Sequence, residues 1–199
     1  MLLWINGPFG GGKTQTAFEL HRRLPGSVVC DPEEVGFGLH RVIPRALRPD
    51  FQELTAWRQG VVESLDLVLR KHDGPVIAPM TVVVPAYFDE TVGRLREMGH
   101  DVRHFALLAR PETVRNRLRE RGLYGLRHDS WALEQVDRCL DALQHREFAE
   151  HIHTDHIPTR EVADRIAASA GLTIAPNTDG PMLRQWRRLQ VGVRHMRFG

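Results

Sequence analysis

Residues 7–14 read Gly-Pro-Phe-Gly-Gly-Gly-Lys-Thr, which matches the spacing Gly-x-x-x-x-Gly-Lys-[Ser/Thr] of a P-loop. Glycine geometry in this pattern frees backbone amides to wrap the β- and γ-phosphates of a nucleotide. We expect Lys13 to place a positive charge beside the transferred phosphoryl group and the Thr14 hydroxyl to ligate Mg²⁺. The residues predicted to bind ATP are Gly7, Pro8, Phe9, Gly10, Gly11, Gly12, Lys13, Thr14 and Gln15.

The surroundings of this motif favour a P-loop over a glycine-rich turn that matches by chance. An apolar run, Leu2–Ile5, precedes it, and a helical pattern, Lys13–Leu24, follows it. The N-terminal amides of such a helix point at a bound anion. The motif therefore has the strand–loop–helix context that phosphate binding requires.

Two absences narrow the class of P-loop protein. The sequence contains no guanine-reading Asn-Lys-x-Asp, which a GTPase would need. The third and fourth apolar runs end at residues 79–81 (Pro-Met-Thr) and 108–110 (Leu-Ala-Arg), so neither supplies the metal-bound carboxylate of a motor ATPase. The pattern favours a Mg·ATP-dependent small-molecule kinase.

Asp31 is the best substitute for the missing carboxylate, because it directly follows the second apolar run. In a sheet of strand order 2-3-1-4-5, this position lies in the acceptor half of the crevice. A carboxylate there can hold a metal-bound water or take the proton of an acceptor hydroxyl, which makes Asp31 a candidate catalytic base and metal ligand. The alternative is an N-cap for the helix after Pro32, and both roles stay open.

An arginine-rich stretch follows the fourth apolar run, and residues 117–122 read Arg-Leu-Arg-Glu-Arg-Gly. It resembles the helix that leads into the lid of shikimate, gluconate and nucleoside monophosphate kinases, where arginines stack on adenine and close onto the phosphates. The guanidinium has a flat face for stacking and a fork for phosphate oxygens. We assign Arg117 to adenine, Arg121 to the phosphates and Arg127 to a second lid contact, within a lid of about residues 117–130. The alternative is a solvated basic helix face.

The acceptor is expected among the helices between the second and third strands. Candidate substrate contacts there are Phe37, Arg41, Trp57 and Arg58. Arginines and aromatic rings together suit a ligand with polar and apolar parts. The alternative for each of them is a core aromatic or a surface arginine.

Residues 151–156 read His-Ile-His-Thr-Asp-His and match a metal motif of metallo-β-lactamase-like hydrolases. Spacing of this kind can hold two zinc ions. That fold needs further ligands well downstream, however, and little chain follows. We expect the last strand of the sheet here rather than a metal site.

Apolar runs alternate with helical patterns, which is typical of βαβ units around a parallel sheet. The expected fold class is α/β, a P-loop kinase-like three-layer α/β/α domain over residues 1–175 with a five-stranded parallel sheet of order 2-3-1-4-5. Predicted strands lie at Leu2–Ile5, Ser27–Cys30, Pro75–Met80, Val102–Ala109 and Ile152–Thr154. Long helices are predicted at Val35–Leu47, Phe51–Lys71 and Ser130–Glu150.

The net charge of +2 conceals an asymmetry, because Met182–Gly199 contains five arginines and no acid. Over residues 176–199 we predict a linker and a basic amphipathic helix, which would contact either a membrane surface or the protein's own core. The rest of the chain is mildly acidic, and no nucleic-acid partner is expected. Two cysteines, no spanning apolar run and no signal-peptide pattern predict a cytoplasmic protein. Whether this helix makes peripheral contact with a membrane stays open.

Residues 4–17, Trp-Ile-Asn-Gly-Pro-Phe-Gly-Gly-Gly-Lys-Thr-Gln-Thr-Ala, resemble the tunicamycin-resistance family of ATP-binding proteins. Asp-Pro-Glu at 31–33 and the Arg-Leu-Arg-Glu-Arg segment fit it too, and the similarity runs over most of residues 1–170. The resemblance implies a phosphotransferase fold and resistance to tunicamycin, a uridine-like nucleoside carrying sugars and an acyl chain. Phosphorylation of the antibiotic would be the mechanism, while sequestration by binding alone is also compatible. A housekeeping nucleoside or nucleotide kinase shares the same motifs.

Overall fold

The computed structural model describes residues 1–120 and 128–180, and the side chains of all of these except residues 128 and 129. In this part of the chain the sheet has five strands: β1 (Leu2–Asn6), β2 (Val28–Val29), β3 (Val76–Pro79), β4 (Val102–Leu108) and β5 (His151–His153). Their order is β2-β3-β1-β4-β5, and every neighbouring pair is parallel. The predicted sheet is confirmed.

Strand β1 lies at the centre of the sheet. Leu2 is in register with Val76 of β3 on one side and with Val102 of β4 on the other. Every residue of β1 is buried. A strand covered on both faces has no reason to alternate apolar and polar residues, which explains the continuous apolar run.

Helices cover both faces of the sheet. The described helices are α1 (Lys13–Arg23), α2 (Glu33–Val42), α3 (Thr55–Lys71), α4 (Pro85–Phe88), α5 (Arg94–Glu97), α6 (Pro111–Glu120), α7 (His128–Glu134), α8 (Val136–Leu143) and α9 (Thr159–Ser169). Leu2 and Trp4 join an apolar cluster with α3. Leu3 and Ile5 point to the opposite face and join a cluster with α1 and α9, since side chains alternate along a strand. The three-layer α/β/α arrangement is thereby confirmed.

Helix α2 ends earlier than predicted, because Pro44 follows it closely. A proline disfavours the α conformation of the preceding residue, and Ile43 is extended, with φ −83° and ψ 129°. A single 3₁₀ turn, Arg45–Leu47, replaces the rest of the predicted helix. A second 3₁₀ turn, Phe51–Glu53, also separates the start of α3 from its predicted beginning.

The prediction of one long helix at Ser130–Glu150 was wrong. The chain there forms α7, α8 and a 3₁₀ turn at Arg146–Phe148. The turn buries Phe148 completely. The ring of Phe148 packs edge to face against Phe88 of α4, with centroids 5.1 Å apart. The end of the predicted helix is thus replaced by a turn whose aromatic ring packs in the core.

The segment predicted as a linker is held against α1 as far as it is described. The backbone amide of Ala175 donates to the Arg23 carbonyl at 2.7 Å, and the Arg23 Nε donates back to the Ala175 carbonyl at 2.6 Å. Asn177 donates to the buried Glu19 carboxylate at 2.6 Å. The predicted basic helix falls within residues 181–199, outside the described residues. None of the described helices combines the length and apolar character that crossing a membrane requires.

His104 of β4 lies in an aromatic pocket, with its ring centroid 4.7 Å from that of Phe88 and 6.3 Å from that of Phe148. Its Nδ1 is 3.1 Å from the carbonyl oxygen of Ala149. Burial lowers the pKa of His104 from 6.5 to about 4. The ring is therefore neutral in the folded protein at neutral pH.

We expect the free energy of unfolding to decrease as the pH falls from 6.5 towards 4. In this window the unfolded chain binds a proton at His104 and the folded chain does not, so each pH unit costs about 1.4 kcal/mol. Urea unfolding at several pH values measures the slope, and His104→Leu should flatten it. Identical slopes for the two proteins would show that another group titrates.

Candidate nucleotide and acceptor site

The loop between β1 and α1, residues 7–12, is called the nucleotide loop below. It depends on glycines with positive φ. Gly10 has φ 75° and Gly12 has φ 91°, values that side chains rarely adopt. A Cβ on Gly10 would lie 2.7 Å from the Cγ of Leu118 in α6. A Cβ on Gly12 would have no neighbour within 4 Å, so the loop is open at that point. The loop is thus closely packed at Gly10 and open at Gly12.

Lys13 is buried at the start of α1. Its Nζ donates to the Pro8 carbonyl at 3.1 Å and lies 5.7 Å from the centroid of the Phe9 ring. The loop itself therefore holds the ammonium group in place. This is the position from which the predicted phosphate contact can be made.

Thr14 and Gln15 lie half-buried in the first turn of α1. This turn contains no acidic residue, so no carboxylate competes with a bound anion for the helix N-terminus. Thr14, whose hydroxyl is the predicted Mg²⁺ ligand, directly follows Lys13 in sequence. Phosphate and a phosphate-bound Mg²⁺ both fit this chemistry.

Asp31 follows β2 at the carboxyl edge of the sheet, where the amide of Cys30 donates to the Ile77 carbonyl at 2.9 Å. One carboxylate oxygen of Asp31 accepts a 3.0 Å hydrogen bond from the amide of Glu33, the first residue of α2. The structure thus contains the capping contact. A carboxylate has further lone pairs, so this contact is compatible with a role in metal binding or proton transfer, which stays a prediction.

Trp57, predicted as a substrate contact, is completely buried in α3. Its indole nitrogen donates to the Pro32 carbonyl at 3.0 Å. The side chain therefore supports the turn that carries Asp31 from behind. The sequence pattern of aromatic and arginine residues does not distinguish a tryptophan that supports the fold from one that lines an acceptor site.

Arg58, the neighbouring candidate, is also buried. Its guanidinium donates to the Glu90 carboxylate and to the Gln52 carbonyl, both at 2.6 Å, and lies 4.5 Å from the ring centroid of Tyr87. Glu90 belongs to a π-type turn, Asp89–Gly93, which joins α4 to α5. Arg58 thus ties α3 to the Phe51–Glu53 turn and to the Asp89–Gly93 turn, and a direct substrate contact stays a prediction.

Phe37 and Arg41 both lie on α2. The ring of Phe37 is half-buried and meets Phe51 edge to face, with centroids 6.0 Å apart. Arg41 is exposed. The ring of His40 also contacts Phe51, at 5.5 Å between centroids. Of the four predicted acceptor residues, Arg41 is therefore the exposed one and Phe37 the half-buried one.

Arg117 lies on α6 and contacts the end of β5. Its guanidinium donates to the hydroxyl of Thr154 at 3.1 Å and to the Thr154 carbonyl at 2.6 Å. The predicted adenine contact would have to be made beside these bonds or in their place. Arg121 and Arg127 lie outside the described residues.

Trp131 lies beside the predicted nucleotide loop, a position that the sequence did not indicate. It lies on α7, and its ring meets Phe9 of the nucleotide loop edge to face at 4.9 Å between centroids. The ring is 46% exposed. The available signal was a lone tryptophan directly after an arginine-rich lid sequence.

Asp155, in the His-Ile-His-Thr-Asp-His segment at residues 151–156, has a structural role. Its carboxylate accepts from the Arg110 amide at 2.9 Å and from the Thr113 hydroxyl at 2.8 Å, and so caps the N-terminus of α6. Burial opposes ionisation, but these hydrogen bonds hold the pKa of Asp155 below its usual value. The segment also contains β5, which confirms the predicted strand. Over residues 1–120 and 128–180, no three potential metal ligands come together.

A family profile described as an AAA domain matches residues 2–146. The match includes the nucleotide loop, Asp31 and Trp131. No curated protein matches the sequence.

Several solved structures resemble this chain. The tunicamycin resistance protein of Deinococcus radiodurans is 36% identical, with a TM-score of 0.75 over 88% of this chain and 99% of that one. A gluconokinase from Sinorhizobium meliloti 1021 is 15% identical, with a TM-score of 0.60 over 94% of this chain and 95% of that one. A shikimate kinase from Bacteroides thetaiotaomicron is 15% identical, with a TM-score of 0.59 over 86% and 99%. The two kinases share the fold.

Proposed function

Because this chain belongs to the tunicamycin-resistance family of P-loop proteins, we propose that it transfers the γ-phosphoryl group of Mg·ATP to a small molecule. The observation that carries this proposal is the buried Lys13, held at the N-terminus of α1 inside a loop that is open at Gly12. A buried ammonium beside helix amides favours the developing charge of phosphoryl transfer.

The acceptor proposed is tunicamycin or a closely similar nucleoside antibiotic. The printed name of the 36%-identical relative supports this choice. The half-buried Phe37 and exposed Arg41 suit a ligand with apolar and polar parts. Sequestration without chemistry and a housekeeping nucleoside kinase are the rival outcomes of the tests below.

Each residue has a proposed task. Bound Mg·ATP supplies the phosphoryl group and the charge of the metal ion. Lys13 holds the phosphate oxygens, and the Thr14 hydroxyl ligates the metal. Asp31 takes the acceptor proton or supports the metal, while Arg117, Arg121 and Arg127 close over the nucleotide. A cytoplasmic location, with the C-terminal residues on a membrane surface, is part of the same proposal.

Mass spectrometry tests the reaction directly. Purified protein incubated with ATP and tunicamycin should yield an antibiotic heavier by one phosphoryl group. Unchanged antibiotic, with no phosphorylated product from other nucleoside acceptors either, would contradict the kinase proposal. Unchanged antibiotic that nevertheless co-elutes with the protein would favour sequestration.

Asp31→Asn should lower phosphoryl transfer by about 10²- to 10⁴-fold, the usual contribution of a general base, while nucleotide affinity is retained. Asp50→Asn is the matched control, because Asp50 caps the Phe51–Glu53 turn through the same 3.0 Å contact with the amide two residues later. Turnover rates and nucleotide titrations of both variants give the comparison. If both variants keep full turnover, Asp31 is only a cap.

A further inference from the structure

Asn6 extends the pairing of β1 and β3 beyond the point where the backbone of β1 turns away. The last backbone contact is the amide of Met80 donating to the Ile5 carbonyl at 3.0 Å. Two residues on, the Asn6 side-chain amide donates to the Val82 carbonyl at 2.8 Å, and its oxygen accepts from the Val82 amide at 3.0 Å. A carboxamide has the donor and acceptor of a peptide group, so it replaces the missing backbone partner.

The same two segments hold Gly7, the first residue of the nucleotide loop, through the peptide groups on both sides of it. The amide of Gly7 donates to the Asn6 side-chain oxygen at 2.8 Å. The Gly7 carbonyl accepts from the hydroxyl of Thr81 at 2.8 Å. Asn6 and Thr81 are both buried, so water does not compete for these bonds. Both polar groups of Gly7 are thus fixed by side chains at the ends of β1 and β3.

We propose that Asn6 and Thr81 are positioning residues for the donor phosphates. By fixing the peptide groups on both sides of Gly7, they set the direction in which the following loop amides point. The inference rests on the nucleotide binding proposed above and extends it to the segment after β3.

The segment after β3 supplies no metal-bound carboxylate of the kind that motor ATPases use. Here the hydroxyl of Thr81 donates to the loop backbone instead. The segment continues through residues 82–84 into α4. A displacement of this segment would therefore move the Gly7 carbonyl with it.

Thr81→Val removes the hydroxyl but keeps the shape, and it leaves the buried Gly7 carbonyl without a partner. We expect its dissociation constant for a non-hydrolysable ATP analogue, measured by calorimetry, to rise about tenfold. Thr81→Ser restores the hydroxyl and should bind within about twofold of the wild type. Hydrogen exchange of the peptide covering residues 7–12 should accelerate in the valine variant, even without nucleotide.

Thr91→Val is the matched control, because Thr91 is also completely buried and its hydroxyl donates to a backbone carbonyl, that of Tyr87, at 2.7 Å. It should lower the melting temperature and leave nucleotide affinity unchanged. If Thr81→Val likewise lowers the melting temperature and leaves nucleotide affinity unchanged, the Thr81 hydroxyl only stabilises the fold and the inference is overturned. A wild-type chain that binds no analogue would refute the proposed function as well.

Discussion

Replacement of Lys13 by methionine should lower phosphoryl transfer by about 10²- to 10³-fold, the usual loss when one group that stabilises transition-state charge is removed. Methionine keeps much of the length and the apolar stem of lysine but carries no charge. The folded state should persist, because methionine keeps the apolar stem in place although the contacts of the ammonium with Pro8 and Phe9 are lost. Steady-state assays measure the turnover, an ATP titration measures the nucleotide affinity, and a thermal melt measures the stability of the fold.

Lys71 supplies the control for this experiment, since it is the only other lysine in the chain and lies exposed at the end of α3. Lys71→Met makes the same chemical change at a distance from the nucleotide loop. It should leave turnover and nucleotide affinity unchanged. Retention of full turnover by Lys13→Met would remove the main support for a phosphotransferase.

Gly10→Ala should destabilise the fold by about 2–5 kcal/mol and abolish nucleotide binding. About 1–2 kcal/mol comes from placing a side chain at positive φ. The remainder comes from overpacking, since the new Cβ would lie 2.7 Å from the Cγ of Leu118. Urea unfolding gives the stability, and titration with an ATP analogue gives the binding.

The two contributions can be separated with a second glycine and a double mutant. Gly171, just after α9, has φ 69°, and a Cβ there would meet nothing within 4 Å. Gly171→Ala should therefore cost only the conformational part, about 1–2 kcal/mol. In a Leu118→Ala background, the cost of Gly10→Ala should fall towards that of Gly171→Ala, with a remainder from the Val114 carbonyl oxygen, 3.2 Å from the new Cβ. An undiminished cost in that background would place the conflict elsewhere in the loop.

The nucleotide loop and the sheet could be predicted because each depends on short-range pattern. The loop needs glycines and a lysine at fixed spacing, and β1 needs only a continuous apolar run between two covering layers. The end of α2 was misplaced although Pro44 was visible, since the helical pattern continued beyond it. The prediction for residues 130–150 was wrong as well, and there Phe148 packs against Phe88, a distant contact that the local sequence does not specify.

The acceptor side was harder to predict than the donor side. Trp57 and Arg58 are adjacent in sequence, and both suit a ligand chemically, but their partners are Pro32, Glu90 and Gln52. Nothing in the local sequence specifies these distant contacts. Asn6 shows the same limit, since its partner Val82 is known only once β1 and β3 are paired.

Because Trp131 contacts Phe9, its fluorescence reports on the nucleotide loop. Trp4 and Trp57 are completely buried, whereas the indole of Trp131 is 46% exposed and touches the loop. A water-exposed indole emits at longer wavelength than a buried one and is accessible to quenchers such as iodide. Among the described tryptophans, the red edge of the emission therefore belongs to Trp131. A ligand that shifts Phe9 will change that emission without any added dye.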